Sequence, residues 1–170
     1  HASNQSVTFP GAVTFSGTVT GDNNTQDTGL PCFFASTNST TNLTANTWSR
    51  LDFGTEEVDS ASAFSETAKF TPQTAGYYYV WGSYQCRFQS NPHWMYITFR
   101  KNGSDAFRYT MVNGRNSDYD NWVVINHSGI VSMNGSSDYL EMYANNMPDT
   151  GTTTIPVAQR HFGAFRLGPS

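Results

Sequence analysis

Gly76-Tyr77-Tyr78-Tyr79-Val80-Trp81 opens the run GYYYVWGSYQCRF at residues 76–88, and its reading decides the fold. A β-strand turns successive side chains to opposite faces. A strand of an antiparallel sandwich, with one wet face, therefore alternates apolar and polar residues. Here every position from Tyr77 to Trp81 is aromatic or apolar, so both faces carry hydrophobic side chains. One set fills the space between two sheets. The other set needs a cover, and in a chain of 170 residues the expected cover is another subunit.

Outward from this run the chain reads as short strands separated by turns. Strands are expected at 31–37, 47–53, 63–70, 93–101, 105–112, 121–133, 137–144 and 160–167. Asn102-Gly103 and Asn134-Gly135 are hairpin-turn dipeptides. No window has helical periodicity, and eight or nine strands at this spacing imply an all-β sandwich or jelly roll. Composition agrees. Charged residues are only 13%, against about 25% in ordinary globular chains. Asn, Ser, Thr and Gly replace them, and these suit strands and turns better than helix interiors. The net charge is −4 and there is no basic run, so nucleic acid is not an expected partner. No stretch approaches the ~20 apolar residues of a membrane span. His1-Ala2-Ser3 reads as a tag scar or the start of an excised fragment.

Ahead of the strands, Val7-Thr8-Phe9-Pro10-Gly11-Ala12 is followed by Val13-Thr14-Phe15-Ser16-Gly17-Thr18 and then Val19-Thr20-Gly21. This is a V-T-F-x-G-x period, too short to bury a face alone. Three chains wound about an axis would place Val7, Phe9, Val13, Phe15 and Val19 inside. The alternative is an ordinary hairpin strand. Residues 21–29 have linker composition, so residues 1–29 are read as stalk and linker and residues 30–170 as the head.

Catalytic chemistry is not expected. The four histidines (His1, His93, His127, His161) make no H-x-x-x-H pattern, and no G-x-S-x-G elbow occurs. Glu56-Glu57 is a carboxylate pair whose members point to opposite faces of a strand. No cofactor is expected. Asp118 and Asp120 lie in an oxygen-rich loop that would suit calcium, although a solvated, Asx-capped turn explains them equally. Cys32 and Cys86 form no zinc pattern; two buried thiols or one disulfide both fit. Trp48, Trp94, Trp122, Tyr109, Tyr119 and Tyr143 are either half-buried strand residues or platforms on which sugars stack. Loops at 89–94 and 113–121 are the expected receptor contacts, with Trp94, Asn113, Arg115, Asn116, Asp118 and Tyr119 as the polar and aromatic set.

Five segments, in order over about residues 31–168, resemble the C1q/tumour-necrosis-factor (TNF) jelly-roll superfamily: PCFFAST, FSETAKFTPQTAGYYYVWGSY, YITFRKNG, SGIVSMNGSSDYLEMY and HFGAFRL. Ser137-Asp138 replaces the Gly-Asp usual at the late turn. The resemblance implies a homotrimer. It sends Tyr78, Val80, Phe162 and Ala164 into the sandwich, and Tyr77, Tyr79, Trp81, Val131, His161 and Phe165 toward neighbouring subunits. It also places the first strand and the strand after Gly76 on either side of the last strand, which would keep Cys32 and Cys86 too far apart to bridge. A β-repeat stalk ahead of such a head is similar to bacteriophage fibres or spikes. It implies a virion protein that attaches to a host-surface receptor, glycan or protein. The alternatives are a structural trimerisation cap or capsid-decorating head fibre, and a secreted C1q-like ligand or lectin.

Overall fold

Alternation of buried and exposed side chains begins at Cys32 and recurs strand after strand. In this computed structural model the chain is described over residues 30–65, 68–88, 93–113, 121–148 and 155–170. The stalk residues Val7, Phe9, Val13, Phe15 and Val19 fall outside that set, as do Arg115, Asn116, Asp118, Tyr119 and Asp120. The strands are β1 (Cys32–Thr37), β2 (Thr41–Leu43), β3 (Ser49–Arg50), β4 (Thr55–Asp59), β5 (Phe64–Ser65), β6 (Lys69–Phe70) and β7 (Gly76–Phe88). They continue with β8 (His93–Lys101), β9 (Ser104–Asp105), β10 (Thr110–Asn113), β11 (Asn121–Met133), β12 (Leu140–Pro148) and β13 (Ile155–Gly168). No helix occurs among the described residues.

The strands form two antiparallel sheets. The first runs β11-β7-β13-β1-β4, with β2 also on β13. The second runs β10-β8-β12-β6-β5, with β3 on β12 and β9 on β8. Tyr78, Val80, Phe162 and Ala164 are fully buried between the sheets, as expected. Phe33 sits at the centre, stacked on Phe70 at 4.4 Å and edge-on to Phe162 at 4.8 Å. Each such side chain stabilises the fold by roughly 1.5–3 kcal/mol. The two buried tyrosines keep their hydroxyls satisfied: Tyr78 donates to the Thr74 carbonyl at 2.8 Å and Tyr84 to the Tyr96 carbonyl at 2.9 Å. Gly82 is required in this layer, because a Cβ there would run into the Met142 sulfur and the Phe99 ring.

Strands β7, β8 and β11 occupy the expected ranges. Elsewhere the boundaries move for identifiable reasons. The last strand starts at Ile155, because residues 155–158 already pair with β2 and β7; Gln159, in a left-handed conformation (φ 42°), then interrupts the pairing with β7 between Ala158 and His161. This bulge turns Arg160 inward, 3% exposed, where it donates to the carbonyls of Asp52 and Val157. Residues 47–53 form little strand. Leu51 and Phe53 plug the core from irregular backbone, and only β3 pairs. The segment expected at 137–144 begins at Leu140, because Asn134 Oδ1 accepts the backbone N–H groups of Ser136, Ser137 and Asp138 in a turn. Gly135 (φ 71°) supplies the left-handed residue, so Ser137 need not be glycine. β2 and β4 are additions; β4 (TEEVD) is almost wholly exposed and shows no alternation.

Cys32 and Cys86 are both free. They lie on β1 and β7, opposite Phe165 and Val157 of the intervening β13, so the strand between them prevents a bridge. Cys86 is fully buried. Burial pushes its thiol up to about 12, and its S–H points to the Val123 carbonyl at 3.6 Å.

Candidate interaction surface

The outer face of the first sheet is built from the residues that alternate with the core. On β7, Tyr78, Val80 and Tyr84 face inward, so Tyr77, Tyr79, Trp81 and Ser83 face outward. Trp81 lies flat over β13 because Gly163 has no side chain; a Cβ there would enter the indole ring. The ring is held between Tyr79 at 6.0 Å, Phe165 at 6.0 Å and Phe34 of β1 at 6.5 Å. Phe165 also packs on Tyr79 at 5.5 Å. His161 stacks on Phe34 at 5.7 Å, with Nδ1 3.2 Å from Ser83 Oγ. Across the β7–β11 register Ile130 stands opposite Tyr79.

This field is exposed in the single chain. Ile130 is 60% exposed, Val124 55%, Tyr77 47%, Trp122 45% and Phe165 38%. Its far end carries one charge, Arg87 over the Trp122 ring at 5.9 Å, and the rest of β7 and β11 carries none. The outward positions of β7 from Tyr77 to Gln85 and of β11 from Val124 to Ser132 contain only Tyr, Trp, Ser, Gln, Val, Asn and Ile. A contiguous aromatic patch without charge matches the centre of a protein–protein interface.

No protein-family model and no curated protein matches the sequence. Solved structures do match. The globular domain of zebrafish complement 1qA protein superimposes with a TM-score of 0.53 at 14% identity, over 82% of this chain and 99% of that one. The crystal structure of murine APRIL at pH 5.0 gives a TM-score of 0.53 at 7% identity, over 82% of this chain and 100% of that one. The chain has a C1q/TNF-like jelly-roll fold. At these identities the likeness establishes the architecture alone.

Within this jelly roll, Tyr77, Tyr79, Trp81, His161 and Phe165 share the outer face on which the sequence placed them. Val131 does not. It pairs with the inward Tyr78 and is 8% exposed in the core cluster, so the outward position belongs to its neighbour Ile130. The correction follows from strand phase: a shift of one residue exchanges the two faces. Ile130, Phe34 and Val124 are members of the outer field that sequence reasoning missed; Trp122, read from the sequence as a half-buried strand residue or a sugar platform, is exposed at its far end.

On the opposite sheet, Trp94 and Asn113 are directly paired across β8 and β10. Both face away from the core, because Met95, Ile97 and Phe99 face into it. A second aromatic group lies farther along the same face. Tyr96 and Tyr109 meet edge-on at 5.1 Å, and Trp48 lies 6.0 Å from Tyr96. Arg100 sits over both Trp48 (5.4 Å) and Tyr143 (4.4 Å). Glu56 and Glu57 are not brought together as an acid–base pair; Glu57 accepts a hydrogen bond from Ser36 Oγ at 2.8 Å. Among the described residues no group of three or more His, Cys, Asp or Glu side chains is placed to hold a metal ion.

Proposed function

We propose that this chain is the non-enzymatic head of a homotrimer whose copies meet on the outer face of the first sheet, and that the head attaches a fibre or spike of the bacteriophage type to a host-surface receptor. The observation that carries this reading is the uncharged field around Tyr79, Trp81, Ile130 and Phe165. Leaving it wet in a monomer forgoes the burial of several large side chains, each worth roughly 1.5–3 kcal/mol. A cyclic, head-to-tail contact among three copies covers it without a second gene product. His161 then lies near the centre of the assembly with Phe34. The V-T-F-x-G-x period at residues 7–21 supports a stalked, virion-borne head outside the cell.

A second reading, a secreted C1q-like ligand, is favoured by the likeness to a complement globular domain and uses the same trimer. The two separate on what the assembled protein adheres to. Fluorescently labelled intact protein is offered to bacterial strains and to animal cells, with unlabelled protein as competitor. Saturable, competable adsorption to particular bacterial strains supports the attachment head. Adsorption to animal cells alone overturns it in favour of the ligand. No adsorption, with residues 30–170 still required for stalk trimerisation, leaves a structural cap.

A further inference from the structure

Residues directly opposite one another on neighbouring strands sit at one height in a sheet and point to one face. One such row crosses the first sheet. Ser36 of β1 pairs with His161 of β13, His161 pairs with Ser83 of β7, and Ser83 pairs with Asn126 of β11. All four share the outer face with Trp81 and Phe165, because their strand neighbours Ala35, Phe162, Tyr84 and Ile125 are buried in the core. The row is polar, and His161 Nδ1 lies 3.2 Å from Ser83 Oγ within it.

The row ends in opposite charges. At one margin Ser36 Oγ donates to Glu57 Oε1 at 2.8 Å. Glu57 is exposed on β4, the outer strand of this sheet. An ionised carboxylate accepts at two oxygens, so this bond leaves it capacity for a second partner. At the other margin Arg108 borders the same cleft as Ser83 and Asn126, beside Tyr79 and Trp81. Arg108 stands just ahead of β10, the outer strand of the second sheet, and β11 is the outer strand of the first. It therefore occupies the shared edge of the sandwich, and it is exposed. The ion pairs among the described residues use Arg50, Arg100 and Lys101, and Arg108 is in none of them. No Asp, Glu, Lys or Arg stands between Glu57 and Arg108 in the row.

In a closed ring about an axis along the strands, one margin of each copy meets the opposite margin of the next at the same height. Here the two margins carry opposite charges on one row. We propose that Glu57 of one copy pairs with Arg108 of the next at every seam of the trimer, so that the β4 margin is the docking site for the β10–β11 margin of a second copy of this chain. The inference rests on the homotrimer reading and adds to it the order in which the margins meet. The aromatic field supplies the affinity, and the charge pair at its rim supplies the direction. A two-fold contact joining like margins would set Glu57 against Glu57 or Arg108 against Arg108, which is repulsive.

The test is a charge swap in the intact protein, read by sedimentation velocity over a dilution series at low salt and at about 1 M salt. Arg108→Glu and Glu57→Arg should each weaken association at least about tenfold at low salt and less at high salt, and the two together should restore it to within about threefold of wild type. Both side chains are exposed, so the circular-dichroism spectrum of each single variant should match wild type. Single variants that assemble like wild type, or a double variant as weak as either single one, overturn the seam and leave the trimer standing on its aromatic field. Sensitivity to Arg108→Glu alone gives Arg108 a different partner and overturns the pairing. A wild-type protein of one chain mass overturns the homotrimer reading and the seam with it.

Discussion

Replacing Ile130 and Phe165 by threonine should dissolve the assembly while leaving the subunit folded. Ile130→Thr keeps the β-branched side chain that the strand favours and removes apolar surface where 60% of the residue is exposed in the single chain; at Phe165 38% is exposed. Full burial of such a side chain is worth roughly 1.5–3 kcal/mol. Covering what remains exposed therefore contributes about 1–2 kcal/mol at Ile130 and about 0.6–1 kcal/mol at Phe165 per subunit. Taken over three subunits, the upper estimate is about 5–9 kcal/mol, a factor of roughly 10³–10⁶ in the trimer dissociation constant. The fold itself should change little, because neither side chain belongs to the core cluster. Sedimentation velocity over a dilution series reports the assembly, and circular-dichroism melting of the dissociated variant reports the fold. A double variant with undiminished association refutes the assignment of this face. A variant that unfolds rather than dissociates refutes the claim that these residues are spare in the subunit.

Three further outcomes follow from the packing and the titrating groups. Gly163→Ala drives a methyl into the Trp81 ring and should destabilise the protein by about 1–3 kcal/mol; an unchanged denaturation midpoint contradicts the placement of Trp81. The Asp138 carboxylate accepts from Lys101 Nζ and Asn102 Nδ2, both at 2.8 Å, and from the Asn134 N–H at 2.9 Å. Chiefly the Lys101 and Asn102 bonds hold its carboxyl below the usual range. A depressed acid stabilises above its unfolded value, about pH 3.9, and that stability is lost as pH falls through the folded value. Asp138→Asn should therefore cost about 1–3 kcal/mol at neutral pH, with the gap to wild type closing in acid; an equal gap at both pH values contradicts this. His127 is held below its ordinary value by burial among Phe99 and Phe107. The unfolded chain then takes up its proton first, below about pH 6.5, so stability falls from there toward the folded value and levels off beneath it. His127→Gln should flatten that slope in urea midpoints, and an unaltered slope assigns it to another group.

The sandwich was legible because its long strands carry unmistakable alternation or doubled apolar faces. Tyr77 to Trp81 declared two hydrophobic faces, and Asn102-Gly103 and Asn134-Gly135 marked turns the structure retains. The short strands were not legible. β4 has no apolar periodicity and exists because β1 offers an edge, and β2 exists because β13 does; pairing there is tertiary, not local. The phase of β11 was ambiguous in principle, since Ile130 and Val131 are adjacent and both apolar. Only the cross-strand register, with Val131 against Tyr78, decides between them. The margin around β10 was partly visible as Trp94 and Asn113.

The native mass of the intact protein tests the central claim most directly. Non-denaturing mass spectrometry or light scattering at micromolar concentration should return three times the 18.8 kDa chain, with little folded single chain. A cooperative, fully folded particle of one chain mass would mean that water, and no neighbour, covers Tyr79, Trp81, Ile130 and Phe165, and the account would be wrong.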